Sequence, residues 1–199
     1  MSGFSLQAGF PEDQRATAAR LFWFAFRDKL EMVLGPEEKA LLFLEAVLDP
    51  DYAVSATAPD GKLLGLAGYK TDEGALAGGS LSDLRAVYGL FGGFWRGLLL
   101  EMLERKTEAG CLLMDGIFVS EAARGQGIGK ALLERIFELA AERDLKRVRL
   151  DVIDKNTRAK ALYERVGFEP ISVEETGLFQ HVFNFSSATR MEKVIQSAS

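Results

Sequence analysis

Apolar residues recur along this chain in two periods, and the switches between them mark out its elements. Phe4, Leu6 and Ala8 alternate with polar or small neighbours, the period-two pattern of a strand. Pro11-Glu12-Asp13 then opens a helix whose apolar stripe is Phe22, Phe26, Leu30 and Val33. Gly35-Pro36-Glu37-Glu38 restarts a second helix, with proline and acids at the end where the helix dipole favours them, and Ala40, Phe43, Leu44 and Val47 form its buried face. Residues 52–58 and 63–70 read as a hairpin around the turn Pro59-Asp60-Gly61-Lys62. In the second half, 112–119 is a hydrophobic, strand-like run and 130–143 an amphipathic helix. Ile128, Leu132, Ile136 and Ala140, joined by Leu133 and Phe137, form a stripe that presses this helix onto a sheet. A further strand, Arg147 to Val152, alternates apolar and polar positions, and Asn156 stands where a cap is wanted before the helical run to Glu164.

One stretch departs from this order. Residues 71–110 interpose a glycine-rich segment, 74–79, and a helical segment, 81–106, between the hairpin and the next strand. Within it, 86–95 carries no charge and includes Tyr88, Phe91, Phe94 and Trp95, while Gly92 and Gly93 weaken the helix. Arg85 and Arg96 bracket this run, which falls short of the roughly 20 apolar residues of a membrane span. Three roles are open to it: core packing, a substrate-pocket wall or lid, and a subunit interface.

The junction between the run 112–119 and the following helix carries the densest chemistry. It reads Arg124-Gly125-Gln126-Gly127-Ile128-Gly129-Lys130. The first amides of a helix have no partner within it, and the summed peptide dipoles leave partial positive charge there, so glycines that let backbone approach a ligand make an anion cradle. Arg124 and Lys130 add two cations. A Walker loop is excluded, because Arg124 stands where its first glycine is needed and Ala131 follows Lys130. Glycines at 125, 127 and 129 also miss the spacing of the dinucleotide fingerprint.

Arg124, Gly127 and Gly129 match the pattern Arg/Gln-x-x-Gly-x-Gly/Ala and resemble the acyl-CoA-binding motif of the GNAT N-acetyltransferases. Asp115-Gly116-Ile117-Phe118-Val119 looks like that family's preceding strand. Ala161-Leu162-Tyr163-Glu164-Arg165-Val166-Gly167-Phe168, following Asn156, is similar to its next helix and turn. The resemblance is close over about 112–170 and weaker in the first half and in Arg190-Met191-Glu192-Lys193.

This resemblance implies one α/β (α+β) domain over residues 1–199: a mixed, mostly antiparallel sheet flanked by helices, splayed between the strands ending at Val119 and near Ile153, with 71–110 as a helical insertion. It implies acetyl-CoA as co-substrate and no metal. Backbone of Ile117, Phe118 and Val119 would meet the pantetheine arm, and the amides of Gly125, Gln126, Gly127, Ile128, Gly129 and Lys130, beside Arg124, would meet the pyrophosphate. Asn156, by its nature a helix cap, would also bond the cofactor. Tyr163 matches the family's tyrosine near the thioester sulfur, where a phenol protonated at neutral pH can donate to a departing thiolate; outside this motif a helix aromatic would be core.

Acyl transfer also requires a neutral amine, since an ammonium has no lone pair. Asp115 falls where some members place a glutamate that removes the proton directly or through water, and strand alternation puts it on the face of Ile117; capping or pairing with an arginine is equally open to it. His181, the sole histidine, is a second candidate base, although Phe179, Phe183 and Phe185 around it favour a packing or rim role.

Composition narrows the partners. A net charge of -5 argues against a nucleic-acid binder and suits an amine-bearing acceptor. The single cysteine, Cys111, permits no internal disulfide and no cysteine-based metal site, and reads as a small strand residue. The start of the chain is too polar for a signal peptide, so cytoplasm is expected, with no membrane contact and a homodimer left open. The expected reaction is acetyl transfer to the primary amine of a small molecule or peptide. A non-catalytic acyl-CoA sensor, and an interaction protein built around the aromatic insertion, are the alternatives.

Overall fold

The computed structural model describes residues 3–103, 105–175 and 185–195. The chain runs β1 (Ser5–Ala8), α1 (Arg15–Leu34), α2 (Glu37–Val47), β2 (Ala53–Thr57), β3 (Leu63–Lys70), α3 (Leu81–Leu103), β4 (Cys111–Val119), α4 (Ile128–Glu142), β5 (Arg147–Ile153), α5 (Thr157–Arg165), β6 (Glu169–Glu175) and β7 (Ser187–Val194). The strands form one sheet in the order β1-β2-β3-β4-β5-β7-β6. Every neighbouring pair is antiparallel except β4 and β5. The expected mixed, mostly antiparallel sheet is therefore present.

Two cores lie against the two faces, and β3 shows why. Leu66 turns toward α1, α2 and α3, joining Trp23, Val33, Leu34, Leu44 and Phe118. Its neighbour Ala67, with Tyr69, turns toward α4, joining Ile128, Leu132, Leu133 and Ile136. The α4 stripe read from periodicity is almost wholly buried, and at about 1.5–3 kcal/mol per buried Leu or Ile it anchors that helix firmly to the sheet. The stripe of α1 is likewise inward, with Phe22, Leu30 and Val33 buried.

The parallel pair β4–β5 positions the site. It is registered at only three positions, Cys111 with Arg147, Leu112 with Val148 and Leu113 with Arg149. Beyond Leu113 the two strands diverge, so β4 keeps its ladder to β3 but loses its partner on the other edge. The result is the expected splay, a V-shaped cleft opening toward the C-terminal ends of both strands.

Two expectations need correction. The segment 81–106 is not one helix weakened at Gly92 and Gly93. It breaks at Gly89, whose φ of 75° and ψ of 173° suit glycine alone, and the chain doubles back there. A Cβ on Gly93 would come within 2.8 Å of Arg85 N, which shows how closely the second half of α3 packs on the first. Glycine serves here for reversal and close approach. The glycine-rich stretch before it is also tied down, by isolated bridges pairing Ala75 with Lys70 and Ala77 with Leu48.

The second correction concerns β4. Tyr69 faces Met114 whereas Gly68 faces Gly116, so Asp115 is the extra residue of a bulge. The bulge breaks the alternation that would put Asp115 on the face of Ile117. Ile117 packs with the α4 cluster, while Asp115 turns to Arg105 at the end of the α3 segment.

Candidate active site

The turn before α4 has the geometry of an anion cradle. Gly125 and Gly127 both hold positive φ, 81° and 82°, and Gly127 is the residue that precedes the first turn of α4. Arg124 N donates to Glu121 O, and the next amide to reach a backbone carbonyl is Ala131 N, which donates to Gly127 O. The amides between them, Gly125 to Lys130, have no such partner. A Cβ built on Gly125 or on Gly127 meets nothing within 4 Å, so open space lies beside both glycines. Gly129 differs, sitting in the first turn with Leu162 of α5 3.3 Å from its Cβ position. Arg124 and Lys130 are exposed beside the turn, and Lys130 also pairs with Glu134 at 3.3 Å. Backbone amides, dipole and cations thus suit a diphosphate, and the residues present fit the group the resemblance implied.

A cavity of about 540 Å³ occupies the splay between β4 and β5 and brings together Asp115, Ile117, Phe118, Asn156 and Tyr163. Ile117 and Val119 face the α4 cluster, and Phe118 is buried between Phe22 and Phe26, at ring separations of 5.4 and 5.3 Å. Their side chains therefore pack against the core, as expected, and Ile117 and Phe118 also border the cleft. Asn156 caps α5, its Oδ1 accepting from Ala159 N at 3.2 Å.

Tyr163 is buried on α5 and packs edge-on against Phe168 at 5.8 Å. Burial pushes its phenol up to about 12, and the nearby Arg105 guanidinium only partly opposes this. The hydroxyl therefore carries its proton throughout the neutral range.

Asp115 is part of a larger ionic arrangement that periodicity alone does not reveal. Arg105 Nη2 lies 3.9 Å from Asp115 Oδ1, and Arg105 Nη1 donates to Asp151 Oδ2 at 3.1 Å. One guanidinium therefore joins a carboxylate on β4 to one on β5 across the splay. Asp151 also meets Arg149, whose Nη1 donates to Glu108 Oε1 at 2.7 Å, and Arg190 shares that same oxygen at 3.3 Å. A trace of this was present in the sequence: Arg147, Arg149 and Asp151 alternate on a strand whose other positions, Val148, Leu150 and Val152, are core. Charges at regular spacing on a central strand need partners. Arg105 carried no such trace, because its approach to Asp151 depends on how α3 returns.

His181, with Phe179 and Phe183, lies outside the described residues. Cys111 is a buried strand residue, as expected, and burial raises its thiol. Among the described residues no helix is long and apolar enough to cross a membrane, and no group of three or more His, Cys, Asp or Glu is placed to hold a metal ion.

Known proteins share this fold and part of this sequence. Ard1 from Thermoplasma volcanium has the same fold, with a TM-score of 0.63 over 98% of this chain and 99% of its own at 15% identity. The chain is 31% identical over 81 residues to thialysine N-epsilon-acetyltransferase of Bos taurus, covering 41% of this chain and 46% of that protein. It is 31% identical over 85 residues to spermine/spermidine N(1)-acetyltransferase of Bacillus subtilis (strain 168), covering 42% and 50%. The matched segments thus span half or less of these relatives. The sequence pattern of the Acetyltransferase (GNAT) family matches residues 16–168, the greater part of the fold and all of the cradle, so this chain belongs to that family.

Proposed function

We propose that this chain transfers an acetyl group from acetyl-CoA to a primary amine. The observation that carries the reading is the pairing of two features on one sheet: a glycine turn with unpartnered backbone amides on the connection from β4 into α4, and a cavity in the β4–β5 splay lined by Tyr163 and Asp115. The relatives bearing acetyltransferase names act, by those names, on amines, which favours an amine acceptor here. Acetyl-CoA, when bound, supplies a thioester whose acyl carbon bonds to the amine nitrogen as its carbon–sulfur bond breaks.

Each residue then has a definable task. The amides of Gly125 to Lys130, with Arg124 and Lys130, hold the diphosphate, each charged hydrogen bond contributing on the order of 1–3 kcal/mol. Backbone of Ile117, Phe118 and Val119, unpaired on its β5 side, offers donors and acceptors to an extended arm and can polarise a carbonyl placed along it. Asn156 stands at the α5 end of the same cavity and can add a bond while capping its helix. Tyr163 Oη keeps a proton for the departing sulfur. Asp115, held by Arg105, accepts the proton of the incoming amine directly or through water. No covalent intermediate on the enzyme is required.

The test is release of free thiol when the protein is incubated with acetyl-CoA and a panel of amines, together with calorimetry of coenzyme A binding. Binding with amine-dependent thiol release supports the transferase. Binding without release from any amine favours the sensor alternative instead, and absence of both sinks the reading.

A further inference from the structure

A second cavity, of about 510 Å³, lies beside the first, between α1, α2 and the doubled-back α3. Its walls are largely apolar: Phe22, Phe26 and Phe43 from the first two helices, Leu84 from one half of α3, and Phe94 and Leu98 from the other. Three residues, Phe26, Arg105 and Asp115, line both cavities, so the two spaces adjoin at these side chains. Polar side chains in the second cavity are Lys70, Glu101, Arg105 and Asp115, two cations and two carboxylates.

We propose that this second cavity receives the body of the acceptor, and that the acceptors are monoamines carrying an aromatic or branched aliphatic group. The inference rests on the transferase reading above and adds the substrate class to it. The volume falls in the range of about 300–1,000 Å³ usual for small-molecule sites. The lining sets the direction: the apolar body lies among the phenylalanines and leucines, and the amino group reaches Asp115, which also borders the cavity holding Tyr163. Four phenylalanines offer edge and face contacts to an aromatic ring. A polyamine would have to leave further ammonium groups against Phe and Leu side chains, and the balanced charge of the polar residues offers no surplus carboxylates to receive them. Specificity therefore resides in the insertion, because α3 supplies the wall that closes the cavity.

The experiment uses 2-phenylethylamine and spermidine as probes, in calorimetry and in thiol release with acetyl-CoA. Phe94 and Leu98 line the cavity yet are 53% and 51% exposed, so Phe94→Ala and Leu98→Ala both leave the core intact; Phe91→Ala, at a position 92% exposed and outside the cavity, is the control. The expected result is a kcat/KM at least about tenfold higher for 2-phenylethylamine than for spermidine. Phe94→Ala and Leu98→Ala should raise the 2-phenylethylamine KM by about tenfold, with kcat and coenzyme A affinity little changed, and Phe91→Ala should change neither. Equal or better turnover of spermidine, or indifference of the 2-phenylethylamine KM to both cavity substitutions, overturns the assignment and leaves the transferase reading intact. Heat from 2-phenylethylamine that Phe94→Ala weakens, without thiol release from any amine, overturns the transferase reading and with it the acceptor role, leaving only an apolar amine-binding cavity.

Discussion

Gly127 and Tyr163 show how much can rest on a single side chain or its absence. At φ 82°, any residue with a Cβ is strained by about 1–2 kcal/mol, and a branched one also intrudes on the space before the α4 amides. Gly127→Val should therefore lower coenzyme A affinity by tenfold or more, the loss of about one charged hydrogen bond, while the far-ultraviolet circular dichroism stays unchanged; calorimetry reads the effect directly. Tyr163→Phe removes a proton donor but keeps the ring against Phe168, so kcat should fall by about 10² with little change in thermal midpoint. Undiminished turnover would remove Tyr163 from the chemistry. Burial also ties this phenol to stability. The folded chain holds its proton up to about pH 12, the unfolded chain only to about 10, so the stabilisation is complete below pH 10 and disappears as pH rises toward 12. The loss should amount to about 3 kcal/mol at most, and Tyr88, pushed up to about 12 by burial as well, adds in the same window. Urea unfolding at pH 9 and 11 should show a shallower decline for Tyr163→Phe than for the parent; identical slopes would exclude burial of this group as a cause.

At the scale of elements, legibility followed periodicity. The helices carrying continuous apolar stripes, α1, α2 and α4, and the hairpin of β2 and β3 were readable because their patterns are set by contacts on one face of one element. The insertion was less so. Its run from Ala86 to Trp95 spans a reversal at Gly89, so no single period describes it, and Gly93 turned out to serve close packing rather than weakening. The reversal explains how one uncharged run serves unlike surroundings. Tyr88 donates to Leu34 O and stacks under Arg96 at 4.2 Å, Phe94 lines a cavity, and Phe91 at the bend is exposed. Gly89→Ala should destabilise the chain by about 1–3 kcal/mol, since φ 75° with ψ 173° is open essentially to glycine alone; a shifted urea midpoint checks this, and an unmoved one would mean that the bend can relax. The bulge at Asp115 escaped the sequence for a similar reason: one extra residue in a ladder is a matter of register against β3, and β3 gives no local sign of it.

Across the whole molecule, the site is a meeting of parts distant in sequence. Arg105, from the end of the insertion, bridges Asp115 on β4 and Asp151 on β5, at the height where those strands have stopped pairing. Its three side chains are partly shielded, with 25%, 18% and 17% exposure, so the arrangement should contribute more than a surface pair. Arg105→Met should lower the unfolding free energy by about 1–2 kcal/mol, and its effect should not add to that of Asp151→Asn. A double-mutant cycle in urea measures the coupling, and strict additivity would show that the guanidinium does not tie the strands together.

The amino-acid sequence on its own determined the family and the strand–turn–helix junction, because Gly125 and Gly127 take up a backbone geometry that neighbours along the chain dictate. It also determined the two-faced sheet, through the stripes that must be buried against it. Only the tertiary structure decided which way Asp115 turns, that Arg105 spans the splay, and that two cavities meet between them. Those features depend on register and on the return path of α3, where residues some 10 to 46 positions apart come into contact; no local pattern encodes such a distance, because the energy that selects it is shared among many packed side chains.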